Sequence, residues 1–315
     1  MPIQMHTNVT RCLTARPVQT DEDWWRIRRL LIETYPITPT GFNWEIRRWD
    51  GWRFHRADTD WLSRARGRTH LWENETGRLI GVVHPEGSGD AWLELHPGYR
   101  SIESDMIAWA EEHLSEPTDG GRRQLQLFVF DYDSPRRRLL DQRGYEKMPW
   151  TGVTRRLRFG NWPLPDVQYV EGYHLRTTCP GNEGDYQRVA DILNAGFNRT
   201  SHRAAEIRNF MTLSPSFRPE LDLVAEGPDG SFAAYVGITY DEANRRGIFE
   251  PVCTHPDHLR RGLARMLMVE GLHLLKALGA TDMYVETGDA APANALYDCV
   301  GFTEAYTGTI WRKVF

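Results

Sequence analysis

The sequence has few cysteines, little net charge and no long apolar run. Its four cysteines among 315 residues show no C-x-x-C spacing, which argues against a zinc site and against a disulfide framework. A formal net charge of −5 gives no reason to expect attraction to nucleic acid. No apolar run approaches the ~20 residues that span a bilayer, and residues 1–14 lack the apolar core of a signal peptide. These absences predict a cytoplasmic protein with no metal, no nucleic-acid partner and no membrane partner.

The length and composition are those of a globular protein with room for two domains. The chain is 40% hydrophobic and 26% charged. Cys253 lies in an apolar strand pattern and Cys299 in a helical pattern. We expect both to be buried, inert thiols.

The most informative stretch is residues 249–304. A short apolar strand ends at Thr254, and the basic turn Arg260-Arg261-Gly262 follows, directly before a long helical pattern. The first N–H groups of a helix have no intrahelical partner and lie at the positive end of its dipole. Gly262 also lets the backbone approach a ligand without a Cβ in the way. The stretch therefore predicts an anion site, of the kind that holds a phosphate.

Two segments of this stretch resemble the cofactor-binding core of the GNAT superfamily of acyl-CoA-dependent N-acyltransferases. They are the turn 259–264, with sequence LRRGLA, and residues 294–302, with sequence NALYDCVGF. The family begins its turn with Gln or Arg where this chain has Leu259, which removes one side-chain contact and keeps the amides. The resemblance implies acetyl-CoA as acyl donor and no metal. It implies these cofactor-binding residues: Val252, Cys253, Thr254, Leu259, Arg260, Arg261, Gly262, Leu263, Ala264 and Asn294.

The chain also contains the same unit twice. His96-Pro97 recurs 159 residues later as His255-Pro256, and Pro135 recurs 157 residues later as Pro292. Similar strand and helix patterns flank both pairs. We therefore predict an α/β (α+β) fold of two tandem GNAT-like domains, each a mixed, mostly antiparallel twisted sheet flanked by helices. The Pro- and Gly-rich segment 159–165 separates residues 1–160 from residues 171–315.

The two copies differ where the chemistry is expected. A carboxylate at the glycine position would repel a pyrophosphate. We infer a degenerate first domain without normal cofactor binding, left to support the structure or shape the acceptor pocket. By the two offsets, the second-copy residues and their first-copy counterparts are Gly262 and Glu103, Glu250 and Ala91, Tyr297 and Leu140, and Asn294 and Arg137.

Acyl transfer to an amine benefits from a base that removes the amine proton and an acid that protonates the departing thiolate. Glu250, on the strand that enters the turn, is the predicted base, and Glu286 on the neighbouring strand pattern is the alternative. Tyr297 resembles the family's acid, and Asn294, on the same helix face, resembles the residue that contacts the pantetheine arm. Strand 250–254 would offer its amides to the developing oxyanion if it splays from its neighbour.

An N-terminal segment alternates tryptophan with arginine, from Trp24 to Arg68. We interpret it as amphipathic helices whose aromatics pack on the first sheet and whose arginines face solvent, rather than as a base-stacking surface. The loop Tyr35–Asn43 is a candidate wall of the acceptor site.

The predicted function is transfer of an acetyl group from acetyl-CoA to a primary amine of a small molecule, by direct attack. The alternatives are a non-catalytic acyl-CoA-binding module and acetylation of a protein or peptide amine. The sequence leaves open the acceptor, the acyl-chain preference, the choice between Glu250 and Glu286, and whether the chain is a monomer or a homodimer.

Overall fold

The computed structural model describes residues 13–315 except residues 57, 59, 119, 161 and 162. Cys12 and two residues of the predicted domain boundary, Asn161 and Trp162, therefore lie outside the described residues. The first half of the chain contains β1 (Thr14–Pro17), α1 (Asp21–Thr34), α2 (Ile46–Phe54), α3 (Trp61–Gly67), β2 (His70–Glu73), β3 (Leu79–His84), β4 (Asp90–Leu95), α4 (Glu103–His113), β5 (Glu116–Pro117), β6 (Arg123–Phe130), α5 (Ser134–Gln142) and β7 (Glu146–Arg158).

The second half repeats this order with one helix fewer before its second strand and with no counterpart of β5 among the described residues. It contains β8 (His174–Thr177), α6 (Glu183–Gly196), α7 (Ala204–Leu213), β9 (Asp222–Glu226), β10 (Phe232–Asp241), β11 (Arg246–Thr254), α8 (Leu263–Ala277), β12 (Asp282–Gly288), α9 (Ala291–Val300) and β13 (Glu304–Val314). Short 3₁₀ turns occupy Tyr35–Ile37, Pro97–Ile102, Pro219–Leu221 and Pro256–His258. His96 and His255 cap the second and fourth of these turns in the same way, each accepting a hydrogen bond from the backbone two residues on.

A charged network also occurs in both halves, and the sequence patterns above do not predict it. In each half an arginine on the first strand and an arginine in the first helix share an aspartate at the helix start and a glutamate on the second strand. The members are Arg16, Arg26, Asp23 and Glu73 in the first half, and Arg176, Arg188, Asp185 and Glu226 in the second.

The strands form one continuous sheet rather than two separate ones. Their order is β1-β2-β3-β4-β6-β13-β7-β12-β11-β10-β9-β8, with β5 paired to β6. Only β4–β6 and β11–β12 are parallel pairs among the described strands. The predicted fold class, a mixed and mostly antiparallel sheet flanked by helices, is confirmed.

The last strand of each half is exchanged between the halves. β13, from the second half, pairs with β6 of the first, and β7, from the first half, pairs with β12 of the second. The two exchanged strands also pair with each other. Every ladder at the junction therefore joins backbone from both halves.

The exchange carries side chains into the opposite core. Trp311 of β13 is buried in the core of the first half, and Leu157 of β7 is buried in the core of the second. A third core joins both halves, because the tryptophans of α1 and α2 pack with Ile248 and Tyr284. The halves thus share their hydrophobic interior.

Because the cores are shared, the two halves should unfold together. We expect Trp311→Ala to lower the free energy of unfolding by about 3–5 kcal/mol, the usual cost of deleting a buried large aromatic. Urea denaturation followed by far-UV circular dichroism and by tryptophan fluorescence measures this loss. Val314→Ala, at a 37% exposed position of the same strand, should change stability by no more than about 0.5 kcal/mol. Two separated transitions in the unchanged protein would contradict a shared interior.

Candidate active site

A cleft opens where β11 and β12 separate. Their parallel pairing runs from Arg246↔Asp282 to Phe249↔Val285 and stops there. On its other side β11 carries one extra residue between the pairs Phe249↔Ile238 and Val252↔Val236, which forms a bulge at Glu250 and Pro251. The splay that the sequence analysis required for strand 250–254 is therefore present, and it frees backbone on the side facing the cleft.

The basic turn leads from this strand into α8. Gly262 is the N-cap of α8 and has a φ of +84°, a left-handed conformation that glycine adopts at little cost. Arg260, two residues earlier, is also left-handed at +59°. No heavy atom lies within 4 Å of the position where a Cβ on Gly262 would sit. The N-terminus of this 15-residue helix is thus open to an anion.

Eleven of the twelve predicted site residues line this one cleft, whose volume is about 1130 Å³. The splayed strand and the turn form one side, and Glu250, Glu286 and Tyr297 lie on the lining with them. Asn294 is the exception.

Asn294 bonds instead to the loop that precedes α9. Its Nδ2 donates to the carbonyl oxygens of Gly288 and Ala290, both at 3.1 Å. Its Oδ1 lies 3.4 Å from Nη1 of Arg155, a residue of β7. The side chain thus holds the end of β12 to α9, and its contact with a cofactor stays a prediction.

Tyr297 is buried, with 4% of its surface exposed, and its ring packs against Phe302. Burial raises the pKa of its hydroxyl to about 12. The phenol is therefore protonated at neutral pH, as a proton donor must be.

The two candidate bases have different surroundings. Burial raises the pKa of Glu286, the charge of Glu250 raises it further, and Arg48 opposes both effects. Glu286 Oε2 accepts a hydrogen bond from the Tyr284 hydroxyl at 3.2 Å and lies 3.5 Å from Arg48 Nη1. Glu250 is partly exposed, and its carbonyl oxygen accepts a hydrogen bond from Arg47 Nε at 3.2 Å. Glu286 is thus held by neighbours on two sides.

The first half builds one wall of this cleft, and the sequence analysis did not predict which residues form it. Trp150, half-exposed on β7, lies on the lining. Glu86, which follows β3, also lies on the lining, and the remaining contributors come from α2 and the residues after it: Arg47, Arg48, Gly51, Trp52, His55 and Arg56.

Two expectations for the N-terminal segment need correction. Trp24, Trp49 and Trp52 are buried as expected, but Arg47 is only 6% exposed, because α2 packs against α7 of the second half and covers it. The loop Tyr35–Asn43 does not reach the large cleft; Gly41 and Phe42 line a different, small cavity.

That small cavity lies at the corresponding place in the first half, where β4 and β6 separate after two residue pairs. Its volume is about 20 Å³. Arg136 of α5 lines it, and the Arg136 guanidinium bonds to Glu103 at the start of α4. Arg100 Nη2 also binds Glu103, at 2.9 Å. Protein side chains thus occupy the space that is open in the second half.

The cysteines are only partly as predicted. Cys253 is buried against α6, and burial raises the pKa of its thiol to about 12, so it is inert. Cys299 is exposed, because it lies on the outer face of α9, and the expectation of burial was wrong.

In the part of the chain that the structure describes, no group of three or more His, Cys, Asp or Glu side chains is arranged to hold a metal ion. None of the helices in that part combines the length and the apolar character needed to cross a bilayer.

Comparison with known proteins places the cleft within a family. The Acetyltransferase (GNAT) family matches residues 187–302. A mycothiol acetyltransferase of Kineococcus radiotolerans is 29% identical over 260 residues, which cover 76% of this chain and 79% of that protein. A streptothricin acetyltransferase of Streptomyces lavendulae is 32% identical over 80 residues, covering 25% of this chain and 42% of that protein.

Solved structures extend the likeness to both halves. A tandem GNAT protein from the clavulanic acid biosynthesis pathway superimposes with a TM-score of 0.64 at 16% identity, covering 96% of this chain and 98% of that one. A GCN5-related N-acetyltransferase from Sphaerobacter thermophilus gives 0.63 at 18% identity, with 96% and 95% covered. Residues 187–302 thus match the GNAT acetyltransferase family, and both halves together share the fold of tandem GNAT proteins.

Proposed function

We propose that the second domain transfers an acetyl group from acetyl-CoA directly to a primary amine of a small-molecule acceptor. The observation that carries this proposal is that splayed backbone, an open helix N-terminus, two carboxylates and a protonated tyrosine line one cleft. The two relatives are named a mycothiol acetyltransferase and a streptothricin acetyltransferase, and both names refer to small molecules, which supports a small-molecule acceptor. The corresponding cavity of the first domain is filled, which supports a single donor site. The proposal includes a cytoplasmic location for the protein.

The donor would lie along the splayed strand and the turn. The N–H groups at the start of α8 would hold the pyrophosphate, because they are unpaired and lie at the positive end of the helix. Arg260 and Arg261 are exposed beside this turn and would pair with phosphates. Backbone of Val252–Thr254, which is free of β12, would bind the pantetheine arm.

The reaction requires removal of a proton from the acceptor ammonium and donation of a proton to the departing sulfur. Glu250 would take a proton from the acceptor ammonium, directly or through water, so that the neutral amine attacks the thioester carbonyl. Backbone N–H groups of the splayed strand would stabilise the negative charge on the carbonyl oxygen. As the carbon–sulfur bond breaks, Tyr297 would donate its proton to the sulfur.

Thiol release from acetyl-CoA tests this proposal, with a panel of aminoglycosides, polyamines, amino acids and cysteinyl compounds as acceptors. An acceptor-dependent rate establishes an N-acetyltransferase. Tight coenzyme A binding without any acceptor-dependent rate would favour the acyl-CoA-binding module instead.

Tyr297→Phe should lower kcat roughly 100-fold to 10,000-fold, because it removes the acid and keeps the ring. In the unchanged enzyme the rate should not fall by half at pH 10, where an ordinary tyrosine is half ionised, since the pKa of Tyr297 is about 12. Steady-state kinetics of thiol release from pH 6 to pH 10.5 measures both effects. Tyr169→Phe, at a 72% exposed position, is the control. A variant as active as its control would remove Tyr297 from the mechanism.

Glu250→Gln and Glu286→Gln separate the two candidate bases. We expect Glu250→Gln to lower kcat by about 100-fold or more. Glu286→Gln should have a smaller effect on kcat, because Glu286 is already bonded to Tyr284 and Arg48. The reverse order of effects would assign the base to Glu286.

Gly262→Ala tests the donor site. Alanine at a φ of +84° is strained by about 1–2 kcal/mol, and the strain is relieved by moving the amides away from the phosphates. We expect the KM for acetyl-CoA to rise about tenfold with kcat little changed. Gly181→Ala imposes the same strain at a φ of +88° outside the cleft lining and should leave the KM unchanged. Equal KM values for the two variants would contradict phosphate binding at this turn.

A further inference from the structure

Arg47 is a buried cation on the cleft wall that lacks an ionic partner. It is 6% exposed, lines the cleft, and has no carboxylate within ion-pairing distance among the described residues. Its neighbour Arg48, in contrast, pairs with Glu86 and Glu286. A buried charge without a partner is costly to stability, so its retention calls for an explanation from function.

The guanidinium of Arg47 is fixed in place and keeps one nitrogen free. Nε donates to the carbonyl oxygen of Glu250 at 3.2 Å, and Nη2 lies 3.4 Å from Nε2 of His55. Burial, together with the charge of Arg47, holds the pKa of His55 well below its usual range. His55 is therefore neutral at pH 7 and accepts this bond. Nη1 has no hydrogen-bond partner in the part of the chain that the structure describes.

The surrounding residues are arranged around this guanidinium. Gly51 lies inside α2, where glycine costs about 1 kcal/mol relative to alanine. A Cβ on Gly51 would lie only 2.5 Å from Arg47 Nη1. The guanidinium also lies over the ring of Phe210, 4.1 Å from its centroid, and the His55 ring stacks on that same ring. The absence of a side chain at Gly51 thus leaves space for the Arg47 guanidinium, and Phe210 of α7 packs against that guanidinium.

The carboxylates near Arg47 are already bonded to other groups. Asp50 pairs with Arg28 at 2.9 Å and accepts from Ser216. Asp222 accepts from Tyr235 at 2.7 Å and from Thr178. Glu45 accepts from the first backbone N–H groups of α2. None of the three makes a direct ion pair with Arg47, although the charge of Arg47 acts on each of them through space and opposes the rise that burial causes in its pKa. A ligand carboxylate in the cleft would be a direct ionic partner for Arg47.

We propose that the acceptor is an amine that also carries a carboxylate, which Arg47 binds while the amino group faces Glu250. This inference rests on the proposed function and specifies its substrate class. Arg47 and Glu250 are adjacent, since one bonds to the backbone of the other, yet the described structure contains no ion pair between their side chains. A zwitterionic amino acid presents one charge to each of them. Its carboxylate gains charge-assisted hydrogen bonds from a preorganised guanidinium.

A single carboxylate fits this site better than a phosphate does. Arg47 offers one positive charge beside an aromatic ring and a neutral histidine. It neutralises a monoanion, whereas a phosphate dianion would keep a second charge close to Glu250. Desolvating that extra charge is unfavourable.

The experiment compares matched amines as acceptors for the full-length protein. Each α-amino acid is paired with its amide, and the series glycine, β-alanine, 4-aminobutyrate and 5-aminopentanoate varies the distance between amine and carboxylate. O-phosphoethanolamine supplies a phosphate in place of the carboxylate. We expect at least one amino acid to be acetylated with a kcat/KM at least tenfold above that of its amide and above that of O-phosphoethanolamine.

Arg47→Gln should raise the KM for the preferred amino acid roughly 10-fold to 100-fold, the usual effect of losing hydrogen bonds to a charged group. The KM for acetyl-CoA should stay unchanged, which also shows that the variant is folded, and kcat/KM for the corresponding amide should fall at least tenfold less than kcat/KM for the amino acid. Arg47→Lys should restore part of the affinity. Arg29→Gln, at an exposed position of α1, is the matched control.

The outcomes separate this inference from the function on which it rests. Amides or O-phosphoethanolamine accepted as well as the amino acids would overturn the carboxylate assignment and leave the acetyltransferase standing. An unchanged amino-acid KM in Arg47→Gln would overturn the role of Arg47. A panel in which no amine raises thiol release would overturn both.

Discussion

The exchange of β7 and β13 between the halves is the constraint on which the rest of the structure depends. β12, one edge of the cleft, is hydrogen-bonded to a strand whose chain belongs to the first half. The same strand carries Trp150 to the cleft lining. With the shared core beneath α1 and α2, the exchange leaves the halves no freedom to pivot as separate bodies. The wall formed by α2 is therefore as fixed relative to Glu250 as any element of the second half.

Much of the cleft could be predicted because its signals are local. A strand, a glycine turn and a helix that follow one another along the chain must also be neighbours in space, and Gly262 shows this directly. The repeat was visible because nearly equal offsets survive sequence divergence. The exchange was not predictable from these patterns. In β7 and β13 apolar and polar residues alternate as in any half-buried strand, and this alternation does not indicate which strand each one pairs with. The continuous sheet had to come from the structure.

The role of Arg47 was hidden for a different reason. Periodicity assigns arginines on an amphipathic helix to solvent, and this holds while one face of the helix is free. α7 of the second half covers the outer face of α2, so a residue that looks exposed in sequence becomes buried. Asn294 shows the second reason why a prediction from sequence can fail, which is bonding of a side chain to the backbone nearby. Helical spacing placed it on the face of Tyr297, but its amide satisfies two loop carbonyls that no sequence pattern reveals.

The order in which the sheet is assembled also bears on how the chain is made. The partner that completes β6 is β13, whose first residue is synthesised about 170 residues after β6 ends. At roughly 5–20 residues per second, translation of that interval takes about 10–35 s. During this time the edge of β6 lacks its native neighbour, and unpaired strand edges are sites of unwanted association. The nascent first half thus exposes an unpaired strand edge until β13 leaves the ribosome.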